Sequence, residues 1–218
     1  MGAQSSSSSQ DNYDKNAYSD EKPVHQVTIS SFYMSKTLVT QYLWYVVMGS
    51  YPNISSSYGL GEDYPVYNIT YLQCQQFISK LNSITGKKFR MPTEAEWEFA
   101  ARGGNNSEGT IYSGSNTIGT VAWYSQNASG KTHPVAQKQA NELNIYDMTG
   151  NLWEWCSDWY GNYSSASQTN PTGPTSGSSR VIRGGGYSDN AVDCRVSVRS
   201  SAGPSQGFNT VGLRLVME

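Results

Sequence analysis

The sequence is short of charge, of histidine and of cysteine, and each shortage removes a class of function. Charged residues make up 15% of the 218-residue chain and the formal net charge is −2, so the basic surface that attracts nucleic acid or an anionic membrane is missing. His25 and His133 are the only histidines, too few for a multi-histidine metal centre. The cysteines Cys74, Cys156 and Cys194 are odd in number and show no C-x-x-C spacing, which fits neither a disulfide framework nor a thiolate zinc site. Cys74 and Cys156 read as small buried hydrophobes. No apolar run approaches the roughly 18 residues that a spanning helix needs, so no transmembrane segment is expected.

Glycine, serine, asparagine and tyrosine are what the chain has in quantity. Residues 1–22, rich in Ser and Asn and without the apolar core of a secretory signal, read as a flexible tether ahead of one domain at 23–218. Such a tether suits a surface-displayed protein whose membrane anchor or signal has been removed, and a trimmed cytoplasmic linker would look the same.

Patterning starts at Val24. The alternation from Val24 to Ile29 predicts a half-buried strand, and Phe32 to Met34 continues as a second extended piece. Thr40-Gln41 opens a helix on which Tyr42, Tyr45 and Val46 recur at helical spacing up to the Gly49 stop. A Ser- and Tyr-rich loop runs to Tyr64. Leu72, Phe77, Ile78 and Leu81 then mark a second amphipathic helix ending before Gly86. In the segment Arg90 to Gly104, Thr93 and Glu96 form an S/T-x-x-E capping box, and Glu94, Glu96 and Glu98 favour the positive end of the helix dipole. Capping and solvation explain these carboxylates better than a paired acid/base site does.

Three tryptophans, Trp153, Trp155 and Trp159, crowd the stretch NELNIYDMTGNLWEWCSDWY, and their near-alternation predicts a strand with rings on both sides. Asp147 and Glu154 flank the Thr149-Gly150-Asn151 turn. Their oxygens, with turn carbonyls, offer a place for a hard cation such as calcium; a turn whose carboxylates accept backbone amides explains the residues equally well.

The blocks PVHQVTISSFYMSK, FRMPTEAEWEFAARGG, NELNIYDMTGNLWEWCSDWY, RVIRGGGY, CRVSVRS and VGLRLV together resemble the formylglycine-generating-enzyme, or sulfatase-modifying-factor, family from Pro23 onward. The resemblance implies an α+β, C-type-lectin-like fold of the formylglycine-generating-enzyme type, with short helices, small antiparallel sheets, much irregular loop and an exposed C-terminal ligand-facing segment. It implies a structural calcium held by Asp147 and Glu154 side chains with Gly150 and Leu152 main-chain oxygens. Enzymes of this family use two cysteines five positions apart to bind copper(I). Here Asp189 stands where the first would be and only Cys194 matches the second. A carboxylate is a poor substitute for a soft thiolate, so no copper and no formylglycine-generating activity are expected.

The segment 180–216 supplies the positive reading. A frame of Arg183, Gly184, Gly185, Cys194, Arg195, Arg199, Gly212 and Arg214 alternates with chemically mixed positions: Gly186, Tyr187, Ser188, Asp189, Asn190, Val192, Asp193, Val198, Ser200, Ser201, Ala202, Gly203, Ser205, Phe208, Asn209 and Thr210. This arrangement resembles the variable proteins of bacterial diversity-generating retroelements of the treponemal type, in which template adenines are randomised. An Asn codon altered at its adenines cannot yield Lys, Glu, Gln, Met or Trp, and none of those occurs at the mixed positions. Tyr, Ser, Asn and Gly are also paratope residues. The expected function is noncatalytic, receptor- or adhesin-like binding of a macromolecular or surface ligand, protein or glycan, by a diversified surface on a constant scaffold. An altered-site oxidase or accessory enzyme of the family, and a constant lectin-like module, are the alternatives. The mixed residues are expected to be exposed over buried Cys194, Val196, Leu213 and Leu215.

Overall fold

The helices of the computed structural model, which describes residues 1–218, start and stop where local chemistry dictates. Strands β1 (Val27–Thr28) and β2 (Tyr33–Met34) lead into α1 (Gln41–Met48), whose first turn is capped by the Thr40 hydroxyl accepting from the Leu43 amide at 3.2 Å. Gly49 ends it at φ +82°, a left-handed conformation that glycine adopts without steric cost. Helix α2 (Tyr71–Thr85) carries a Thr70/Gln73 capping box and α3 (Glu94–Ala101) the expected Thr93/Glu96 box, the latter with bonds of 3.2 and 2.9 Å. Strand β3 (Phe89–Arg90) separates them, and the short helix α4 (Ile118–Val121) lies in the long irregular stretch that follows.

The C-terminal half builds the main sheet. Strand β4 (Trp153–Trp159) pairs antiparallel with β6 (Arg180–Arg183) and parallel with β8 (Val211–Gly212), while β7 (Arg199–Ala202) adds to the far side of β6. The order is β7-β6-β4-β8. A second sheet places β9 (Val216–Met217) between β2 and β3, and β5 (Gln168–Thr169) pairs parallel with β1. The principal core lies between the helix pair and the main sheet. Trp44 and Phe77 stack there at 5.0 Å beside Trp153, Trp155, Ile182, Val198 and Leu213.

Several expectations are corrected. Residues 1–22 are no loose tether: Ala3 is 1% exposed, Glu21 is fully buried on Arg195, and the Gly2 amide donates to Glu98 at 2.8 Å. Helix α1 buries Gln41, Trp44 and Val47, whereas Tyr42, Tyr45 and Val46 face solvent; with apolar residues on every side, periodicity could not select the buried face. The strand expected over Val24–Ile29 is regular only at β1. Trp153 and Trp155 share one core instead of packing on two sides, as strand alternation requires of positions two apart, and a register shift follows before Trp159.

Glu94, Glu96 and Glu98 are buried, not solvated. Glu94 receives both arms of Arg199 at 2.8 and 2.6 Å, Glu96 receives Arg90, and Glu98 meets Arg102 and Arg183. Burial alone would push the Glu98 carboxyl up, but Arg102 and Arg183 bring it down to about 2.

Candidate ligand-binding face

The frame arginines fasten the irregular C-terminal segment from beneath. Arg183, Arg195 and Arg214 are at most 1% exposed. Arg183 donates to the carbonyls of Ser197 and Val198, Arg195 pairs with Asp14 and Glu21, and Arg214 forks onto Glu154. A buried guanidinium is tolerated where partners answer its charge, so each arginine fixes the loops whose carbonyls or carboxylates it meets; the Arg183 Nε alone makes no hydrogen bond and lies 3.7 Å from Glu94. Gly185 is pinned as well: at φ +72°, a Cβ there would lie 2.5 Å from the Cys194 sulfur.

The mixed positions divide by burial. Ser188, Asn190, Ser201 and Ser205 are exposed; Asp189, Val192, Asp193, Ser200, Gly203, Phe208, Asn209 and Thr210 are intermediate. Gly186, Tyr187, Val198 and Ala202 are buried, contrary to expectation. Val198 and Ala202 belong to the main core, and the Tyr187 side chain fills a small cluster with Leu38, Tyr67 and Leu152. Cys194, Val196, Leu213 and Leu215 are buried as expected.

Trp153 draws two parts of the segment together. Its amide donates to the Thr210 carbonyl at 2.9 Å and its indole nitrogen to Asp189 Oδ2 at 2.7 Å. The same oxygen accepts the Gly186 amide at 2.8 Å. The result is a surface on which Ser188, Asp189 and Asn190 lie beside 208–210. Val192 and Asp193 lie on the 3-10 turn Ala191–Cys194, where Asp193 accepts the Tyr18 hydroxyl at 3.0 Å. Sequence reasoning missed the opposite wall of this surface. Asn53, Ser55, Tyr58, Tyr67 and Asn68 line a cleft of about 350 Å³ with Gly207, Phe208 and Asn209. The paratope-like composition of the loop after α1 was the available signal.

No thiol pair exists at this face. Burial pushes the Cys194 thiol well up, and the charges of Asp189 and Asp193 add to that, so thiolate is disfavoured. Asp189 is itself raised by burial, opposed by its bonds from Trp153 and Gly186.

The calcium set fits only in part. Both Glu154 oxygens are saturated, receiving Arg214 at 2.7–3.0 Å and the Trp97 indole nitrogen at 2.7 Å. Asp147 Oδ2 accepts the Ala136 amide, while its Oδ1 is buried without a partner. Glu154 is therefore unavailable as a ligand, leaving Asp147 with the carbonyls of Gly150 and Leu152.

Short helices around small sheets, with a long C-terminal loop segment locked from below, define a C-type-lectin-like scaffold of the formylglycine-generating-enzyme type. Residues 2–218 match the sulfatase-modifying factor enzyme 1-like domain, and the chain belongs to that family. It is 32% identical to the chaperone protein LppX of Paenibacillus barcinonensis over 90% of this chain and 84% of that protein. It is 35% identical to the formylglycine-generating enzyme of Streptomyces coelicolor, over 57% of this chain and 45% of the enzyme. Among solved structures, Treponema denticola variable protein 1 superposes with a TM-score of 0.84 at 32% identity, covering 92% of this chain and 88% of that one.

Proposed function

We propose that the chain is a noncatalytic binding protein that presents a diversified C-terminal surface on a constant scaffold. The observation that carries this reading is the state of Asp189. Where the family's enzymes need a second thiolate there is a carboxylate already committed to Trp153 and Gly186, beside one deeply buried thiol. The likeness to Treponema denticola variable protein 1 supports diversification of the same surface. Display at a bacterial cell surface, by an anchor outside these residues, accords with such a role. No helix is long and apolar enough to cross a membrane.

The test has two arms. Incubation with copper(I), oxygen and a cysteine-containing sulfatase-type peptide is expected to yield no aldehyde above a control without protein; aldehyde formation would favour the altered-site enzyme. In the second arm, Ser188, Asn190, Ser205, Phe208 and Asn209 are randomised together. Folded variants that acquire affinity for an arbitrary target protein are expected, and a library in which only unfolded variants arise would refute the display reading.

A further inference from the structure

The cleft between the loop after α1 and residues 207–209 has a chemistry of its own. No charged side chain lines it. Its floor is aromatic: Tyr67 is 1% exposed and meets the Tyr58 ring edge-on at 6.3 Å, with Phe208 opposite. Around these rings stand neutral groups that both donate and accept. Tyr67 spends its hydroxyl on the Ser55 backbone at 2.6 and 2.8 Å, and Asn68 donates to the Asn53 carbonyl at 2.6 Å. The Asn53 and Asn209 carboxamides, the Asn68 carbonyl oxygen and the Tyr58 hydroxyl are left free by the protein's own bonds.

The two walls are fastened to each other. The Asn68 amide donates to the Phe208 carbonyl at 2.8 Å, and a Cβ on Gly207 would meet the Asn68 backbone at 2.8 Å. Phe208 and Asn209 are thus presented at fixed register to the opposite wall, and an ordered site loses little entropy on binding.

We infer that this cleft binds a neutral saccharide ring, an inference that rests on reading the face as a binding surface. A charged ligand would be desolvated without a counter-charge. A purely apolar ligand would cover the free carboxamides and leave them unpaired. A peptide strand adding to this edge would need the Asn68 amide and the Phe208 carbonyl, and those two are bonded to each other. A pyranose has apolar C–H faces for the Phe208 and Tyr58 rings and equatorial hydroxyls that each donate and accept, as carboxamides do. The volume, about 350 Å³, is at the small end of ligand pockets and suits one or two rings.

The full chain is titrated with methyl glycosides of neutral hexoses, 6-deoxyhexoses and N-acetylhexosamines, with N-acetylneuraminic acid as a charged control, and followed by amide resonances. At least one neutral glycoside is expected to shift residues 53–58, 68 and 207–209 with millimolar affinity. Asn53→Ala and Asn209→Ala should each weaken that binding about tenfold at unchanged melting temperature. Absence of shifts up to tens of millimolar for every neutral glycoside overturns the inference. So does equal affinity for the charged control, or binding indifferent to both substitutions. The randomised library separates the two levels: binders to protein targets with no saccharide response would leave display standing and remove only the saccharide.

Discussion

Asp189 and its neighbours Ser188 and Asn190 sit side by side in the mixed segment, yet they answer to different constraints. Asp189 satisfies the Trp153 indole and the Gly186 amide, so Asp189→Ala strands two donors and is expected to cost about 1–3 kcal/mol. Ser188→Ala and Asn190→Ala, on exposed side chains, should each stay within about 0.5 kcal/mol. Urea denaturation of the three single variants checks this; equal costs would mean the Trp153 bond is not formed in solution. Asp158 gives a pH-dependent counterpart. Burial and the neighbouring Glu94 raise its carboxyl to about 7, while it accepts the Glu94 amide and the Ser157 hydroxyl. Between the usual carboxylate range and that value the unfolded chain gives up a proton that the folded chain keeps, so stability falls as pH rises through this window and levels off above it. Asn keeps an acceptor and cannot ionise. Asp158→Asn is therefore expected to raise the melting temperature at pH 8 and to change it little near pH 4; the opposite order would mean that Asp158 is ionised and stabilised in the fold.

At the scale of elements, the N-terminal segment behaves as a structural part of the C-terminal face. Arg195 is 1% exposed and relies on Asp14 and Glu21. Glu21→Ala should cost about 3–5 kcal/mol by leaving a buried guanidinium partly unpaired, and the loss should be read in the global unfolding transition. A variant that merely loosens residues 1–22 while the domain keeps its midpoint would speak against this. Local signals were legible: the Thr93/Glu96 box, the glycine stops at 49 and 86, and the tryptophan-rich strand all fall where the residues put them. What could not be read were partners far apart in the chain. Glu94 and Arg199 lie 105 residues apart, and Glu21 and Arg195 lie 174 apart, so the carboxylates looked solvated and the first segment looked free. The frame positions at 180–216 were legible because glycine and arginine announce backbone and pairing demands. The burial of Tyr187, Val198 and Ala202 among the mixed positions was not, because their side chains meet the core only through the loops' three-dimensional course.

For the molecule as a whole, the saturated Glu154 bears on metal dependence. Arg214 and Trp97 occupy both of its oxygens, so millimolar calcium is expected to leave the melting temperature at its value in chelator. A clear rise in calcium would restore the cation, with the unpartnered Asp147 oxygen as its anchor. Strand order has a further consequence. The β9 strand, which follows the mixed segment in the chain, fills the space between β2 and β3. Without those last residues, two early strands lack their shared neighbour. A chain cut short before Val216 therefore cannot close its second sheet. The second sheet thus ties the start of the domain to its end, and only a chain carried through Met217 holds the mixed segment on a closed scaffold.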